Sequence, residues 1–228
     1  MPIRIGLYDF FAYTLPGILC LFIIVFWLDA TDLLAIDFSI LNNLSLAVSL
    51  GIIGTGYIVG LLIEPLAYAW MKLFQQKKID GTKVAFDEFT KQHPWVNVNF
   101  KSTDLSILLR AVKSVSMESA ANVEEHNVAA IMLMNISLVF VLSSISSVIY
   151  YFVILSNLWI LVLALVFFVL SLMAIGRSRT RRHWFYKAVF ETFTVHFLLD
   201  KTTIVQKSEK KSNTSASKRT RKTVTERQ

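Results

Sequence analysis

Apolar positions in this chain gather into three long runs free of formal charge, separated by segments where charged and polar residues return. The first run, Phe10 to Leu28, lies between Asp9 and Asp29 and matches the ~20 apolar residues that cross a hydrocarbon layer as a helix. It is longer than the apolar core of a cleaved signal peptide, roughly 7–15 residues, and reads as a retained first span. The second run lies between Asp37 and Glu64, densest from Leu44 to Ile63, and gives a second span. The third extends from Asn127 to Gly176 without a charge, too long for one crossing at ~1.5 Å per residue, so it must fold back on itself. Ser156 and Asn157, followed by Trp159, mark the turn between spans of about 128–155 and 158–176.

The pattern therefore predicts an all-α membrane protein with four transmembrane helices in two helical hairpins. The first hairpin occupies 1–70, with spans at about 10–28 and 44–63, and the second occupies 128–176. Between them, 71–127 is expected to form a small helical cytoplasmic domain. In it Leu105, Leu108, Leu109, Val112 and Val115 recur at helical spacing after a potential N-cap at Ser102 or Thr103. That helix could run on into the third span. Its apolar stripe needs a partner: its own domain at Val84 to Phe89, the bilayer surface, a second copy, or another protein. Beyond the fourth span, 177–200 is expected to be a basic, aromatic-rich helix lying along headgroups, and 201–228 a disordered basic tail.

Charge sets the orientation. The 29–43 loop has Asp29, Asp32 and Asp37 and no Lys or Arg, whereas Lys72, Lys77 and Lys78 follow the second span and Arg177, Arg179, Arg181 and Arg182 follow the fourth. Lys and Arg in short loops stay on the cytoplasmic side, which places both termini in the cytoplasm of a bacterial-type inner membrane. Trp27, Trp70, Trp159 and Trp184, with Tyr8, Tyr150 and Tyr151, fall near the predicted interfaces, as amphipathic rings do. The 71–126 segment is nearly neutral, with eight Lys and Arg against seven Asp and Glu, and reads poorly as a nucleic-acid clamp. From Arg177 onward 14 basic residues face 4 acidic ones, more than the whole net charge of +7. Anionic lipid is the expected partner of that excess, through Arg177, Arg179, Arg181 and Arg182, and direct nucleic-acid binding is not expected.

Composition agrees with the pattern: 54% of residues are hydrophobic, 17% charged, and the mean hydropathy is +0.55. Cys20, the single cysteine, lies in the first run, so no disulfide framework or cysteine metal site is available. In the second span Gly56 and Gly60 form a GxxxG, a face that lets another helix approach closely, either within the chain or in a second copy. Glu64 continues that face one turn on. It sits either at the headgroup level or in the bilayer, where an acid is costly and often functional. Pro65 then kinks the helix or marks its exit. Span three has Asn135 and Ser137, then Ser143, Ser144, Ser146 and Ser147, which either pack and bond back to their own helix or line a hydrated pore. Pro16-Gly17 is a kink or flexible point in span one.

No catalytic, cofactor or metal motif stands out. Glu124-Glu125-His126 places potential ligands side by side, but adjacent helical residues point apart; His93, His183 and His196 show no partner in sequence. In YDFFAYTLPGILCL (8–21) and GYIVGLLIEP (56–65) the chain resembles small bacterial four-span inner-membrane proteins, among them the membrane subunit of the Kiwa antiphage system. The likeness covers about the first third of the chain and assigns no functional residue. It implies a homo-oligomeric membrane sensor working with a soluble cytoplasmic partner during phage attack. The expected function is thus a non-enzymatic membrane subunit; a pore using Glu64, Asn135 and the serines is the alternative, and a membrane-embedded enzyme the third.

Overall fold

The computed structural model describes residues 7–31, 45–74, 81–94, 104–154 and 157–199, and these residues contain helices and no strand. In chain order the helices are α1 (Leu7–Ala30), α2 (Leu46–Leu73), α3 (Gly81–Gln92), α4 (Leu105–Val115), α5 (Met117–Val153) and α6 (Leu158–Thr194), the last closed by a π-helical turn, Val195–Leu199. Four of them, α1, α2, α5 and α6, are long and apolar enough to cross a membrane, and the chain is a multi-pass membrane protein. Their outward faces agree: Leu62 is 69% exposed, Leu158 71% and Trp159 77%, a surface suited to lipid. The predicted caps Ser102 and Thr103, the acidic loop beyond Thr31 and the 201–228 tail lie outside the described residues.

The helices outrun the predicted spans for local reasons. Ser45 caps α2, its hydroxyl accepting from the Val48 amide at 3.3 Å. Pro65 does not end α2, which continues to Leu73. Asn157 caps α6, its Oδ1 accepting from the Trp159 amide at 3.1 Å, so α6 starts at Leu158, the predicted start of the fourth span; Ser156, the other residue of the predicted turn, lies outside the described residues. The amphipathic helix does not run on into the third span. Ser116 is extended (φ −143°, ψ 110°), ends α4, and its hydroxyl accepts from the Ser119 amide at 3.2 Å to start α5.

The expected interfacial helix is also not a separate element. Residues 177–194 are the continuation of α6, because no Gly or Pro follows Gly176 to break it. Ser178 and Arg181 also fasten that stretch to α5.

The chain divides into two compact units, residues 1–80 with 124–185, and residues 81–123 with 186–228. The first holds the apolar core, in which Cys20 of α1, Ile63, Ala67 and Met71 of α2, Met134, Leu138 and Val139 of α5, and Ile175 of α6 are buried together. The second has its own buried side chains: Ala85 and Phe89 of α3, Leu108 and Val112 of α4, and Val189 and Phe190 of α6. Phe190 meets Phe86 at 5.5 Å and Phe89 at 5.9 Å, and Lys187 reaches Glu88 at 3.5 Å. Leu108 and Val112 of the α4 stripe are buried, while Ile107 and Val115 stay exposed.

Candidate functional site

Gly56 and Gly60 face α1 of the same chain. A Cβ at Gly60 would overlap the Tyr13 carbonyl oxygen and lie 2.9 Å from Tyr13 Cα. A Cβ at Gly17 would overlap the Gly56 carbonyl oxygen and stand 2.7 Å from the Gly60 nitrogen. Two backbones therefore touch directly, which only glycine permits. At Gly56 the obstacle is a side chain, Ile18 Cγ1 at 2.5 Å. Tyr57 stacks on Phe10 at 5.8 Å and meets Tyr13 edge-on at 6.0 Å, closing the seam on one side. Gly17, read from sequence only as part of a kink or flexible point, is the third member of this contact.

A different seam joins α5 to α6. Ala130, Ser137 and Ser144 recur every seven residues on α5, and Ala164, Ser171 and Ser178 do so on α6; all six are buried. The antiparallel helices pair these positions in order. Ser178 donates to the Ala130 carbonyl at 2.7 Å, Ser171 to the Ser137 carbonyl at 2.8 Å, and Ser144 to the Ala164 carbonyl at 2.8 Å. At the middle rung the hydroxyls also meet at 3.3 Å, and the Trp70 indole donates to Ser137 Oγ at 3.1 Å. Each hydroxyl has one proton, and that of Ser171 goes to the carbonyl, so Ser137 must donate to Ser171 Oγ. The chain Trp70, Ser137, Ser171, Ser137 carbonyl leaves no hydroxyl proton of the rung unpaired and holds three helices together.

The other intramembrane candidates separate. Ser143 and Ser147 bond back to the Val139 and Ser143 carbonyls of their own helix, both at 2.9 Å. With Ser146 they edge a cavity of about 380 Å³ between α1, α5 and α6 whose remaining lining is apolar or aromatic, chiefly Phe22, Phe26, Tyr150, Leu163 and Phe167. Neither Asn135 nor Glu64 lines it. Asn135 is fully buried, and neither its amide nitrogen nor its oxygen has a hydrogen-bond partner. Glu64 is half-buried, one turn beyond Gly60 and beside the buried Ile63.

The four arginines after the last span also divide. Arg177, Arg181 and Trp184 follow i, i+4, i+7 spacing on one face of α6. The guanidinium carbons of Arg177 and Arg181 lie 6.0 and 5.2 Å from the Trp184 ring. Arg181 Nη1 stands 3.3 Å from His126 Nδ1 of α5, and the His126 and Trp184 rings meet edge-on at 6.0 Å. Arg182 reaches a different part of α5, Met134 Sδ at 4.0 Å, and Arg179, two residues from either neighbour in the cluster, is exposed. Spacing alone could have separated these faces; that His126 completes one of them could not be seen without the α5–α6 register.

Among the described residues no group of three His, Cys, Asp or Glu is placed to hold a metal ion. In comparisons with known proteins, no family model matches the chain, and neither a curated protein nor a solved structure is significantly similar to it.

Proposed function

We infer that this protein is a non-enzymatic membrane subunit, an oligomeric sensor or anchor that passes a signal from the bilayer to a soluble cytoplasmic partner. The observation that carries the reading is the division of α5 and α6: each contributes residues both to the apolar bundle and to a second unit with its own buried core. A change in how these spans pack has a covalent route into that second unit. Its exposed apolar residues Ile107, Val115 and Met117 offer contact area to a partner. An inner-membrane location with both termini in the cytoplasm, and a role in antiphage defence, belong to the same proposal through the charge pattern and the Kiwa resemblance.

The test is gentle purification of a tagged full-length chain from its native membrane, followed by mass spectrometry of what accompanies it in fixed ratio. A stoichiometric soluble protein whose binding is lost in Ile107→Asp/Val115→Asp supports the relay; a homo-oligomer with no partner moves the weight to a pore. The self-bonded serines and the apolar lining beside Ser143 and Ser147 count against a hydrated passage within one copy. Conductance from reconstituted protein would restore that alternative.

A further inference from the structure

We propose that Arg177, Arg181, His126 and Trp184 form a discrete site for a phosphate-bearing anion, and that its occupant is the headgroup of an anionic phospholipid. The inference rests on the membrane placement of α5 and α6 and stands apart from the sensor reading.

Depth is the first argument. Arg177 immediately follows the charge-free stretch of α6, and His126 immediately precedes that of α5. The bond from Ser178 to the Ala130 carbonyl sets these two ends within about one helical turn of each other. Both therefore stand at the edge of the hydrocarbon, where phosphates lie.

Geometry is the second. Arginine only donates, so the 3.3 Å contact makes His126 Nδ1 the acceptor and places the ring proton on Nε2, which remains a donor. Two guanidinium groups packed against one indole keep their in-plane N–H edges for a planar or tetrahedral oxyanion, a role for which arginine is better shaped than lysine. Among the described residues no carboxylate forms an ion pair with Arg177 or Arg181, whereas Lys187, six residues beyond Arg181, is matched by Glu88 and Glu191. Access is the third: Arg177 and Trp184 are exposed and Arg181 and His126 half-buried, so a headgroup can enter from the side.

The experiment is a titration of the full chain in neutral detergent with phosphatidylglycerol or phosphatidylcholine, read by native mass spectrometry as the dissociation constant of the first bound lipid. Arg177→Gln/Arg181→Gln should weaken phosphatidylglycerol binding by about thirtyfold, on the scale of ~1 kcal/mol for each of two headgroup-level cations. The charge-matched pair Arg179→Gln/Arg182→Gln should leave it within about twofold. Equal weakening by both pairs would reduce the site to diffuse charge and overturn the proposal, as would unchanged binding in the first pair. Displacement of the lipid by millimolar inorganic phosphate would reassign the site to a soluble anion; no displacement is expected. Should the double variant not fold, Arg181→Lys keeps the charge and removes only the stacked fork. It should weaken binding about threefold, and wild-type affinity in that variant would equally overturn the assignment.

Discussion

The α1–α2 and α5–α6 contacts solve one problem in two ways. Within a bilayer there is little hydrophobic gain in bringing two apolar helices together, so close packing and hydrogen bonds must hold them. The first pair removes side chains altogether: at Gly17 and Gly60 backbone meets backbone. The second keeps small side chains and makes them donate across the seam once every two turns. The steric seam has a sharp penalty and no directional information beyond shape. The hydrogen-bonded seam fixes an axial register, yet each rung contributes modestly, on average about 0.6 kcal/mol in membrane proteins.

That contrast predicts a graded response. The largest loss is expected for Gly60→Ala, where the added methyl meets the Tyr13 backbone and the helices must separate; about 3 kcal/mol should be lost, measured by reversible denaturation in mixed micelles. Gly56→Ala should cost less, about 2 kcal/mol: its methyl meets Ile18 Cγ1 at 2.5 Å, which a β-branched side chain cannot readily swing away, but no backbone atom closer than 3.3 Å. If the two variants were equally stable, the direct backbone contact would be wrong.

Asn135→Leu should act in the opposite direction. Removing a buried amide with neither atom paired is expected to stabilise the fold by about 1–2 kcal/mol. A destabilised Asn135→Leu would show that the amide finds a partner in the membrane. A stabilised but inactive one would mark it as functional.

On the serine side, Ser137→Ala should cost about 1.5 kcal/mol because the Trp70 indole loses its acceptor, and Ser144→Ala only about 0.5 kcal/mol. Equal effects from the two would dissolve the distinction between the three-helix rung and its neighbour. The smallest change is expected at Gly51 and Gly54, beside which a Cβ meets nothing within 4 Å; alanine there should shift stability by less than about 0.5 kcal/mol.

Much of this was legible along the chain. The charge-free runs located the four spans, and Asn157 marked the turn, because burial of a backbone in hydrocarbon demands helix and leaves a compositional trace of its length. The GxxxG was visible as a packing face, but its occupant was not, since the motif suits α1 and a second copy equally. Ser137 drew notice within a dense group of serines, whereas Ser171 and Ser178 did not. Their signal, a seven-residue recurrence of small residues on two helices, has meaning only once the helices are paired.

The sequence by itself determined that this protein is helical, that it crosses a membrane several times, and where charge begins on each side, because these follow from transfer free energies summed over one segment at a time. Only the tertiary structure decided that Gly17 completes the glycine seam, that Trp70 closes a hydrogen-bonded rung, that Asn135 is left unpaired, and that His126 joins Arg177, Arg181 and Trp184. Each of these depends on the axial register and rotation of one helix against another, and those are set by contacts between residues as far as 67 positions apart that no local pattern encodes.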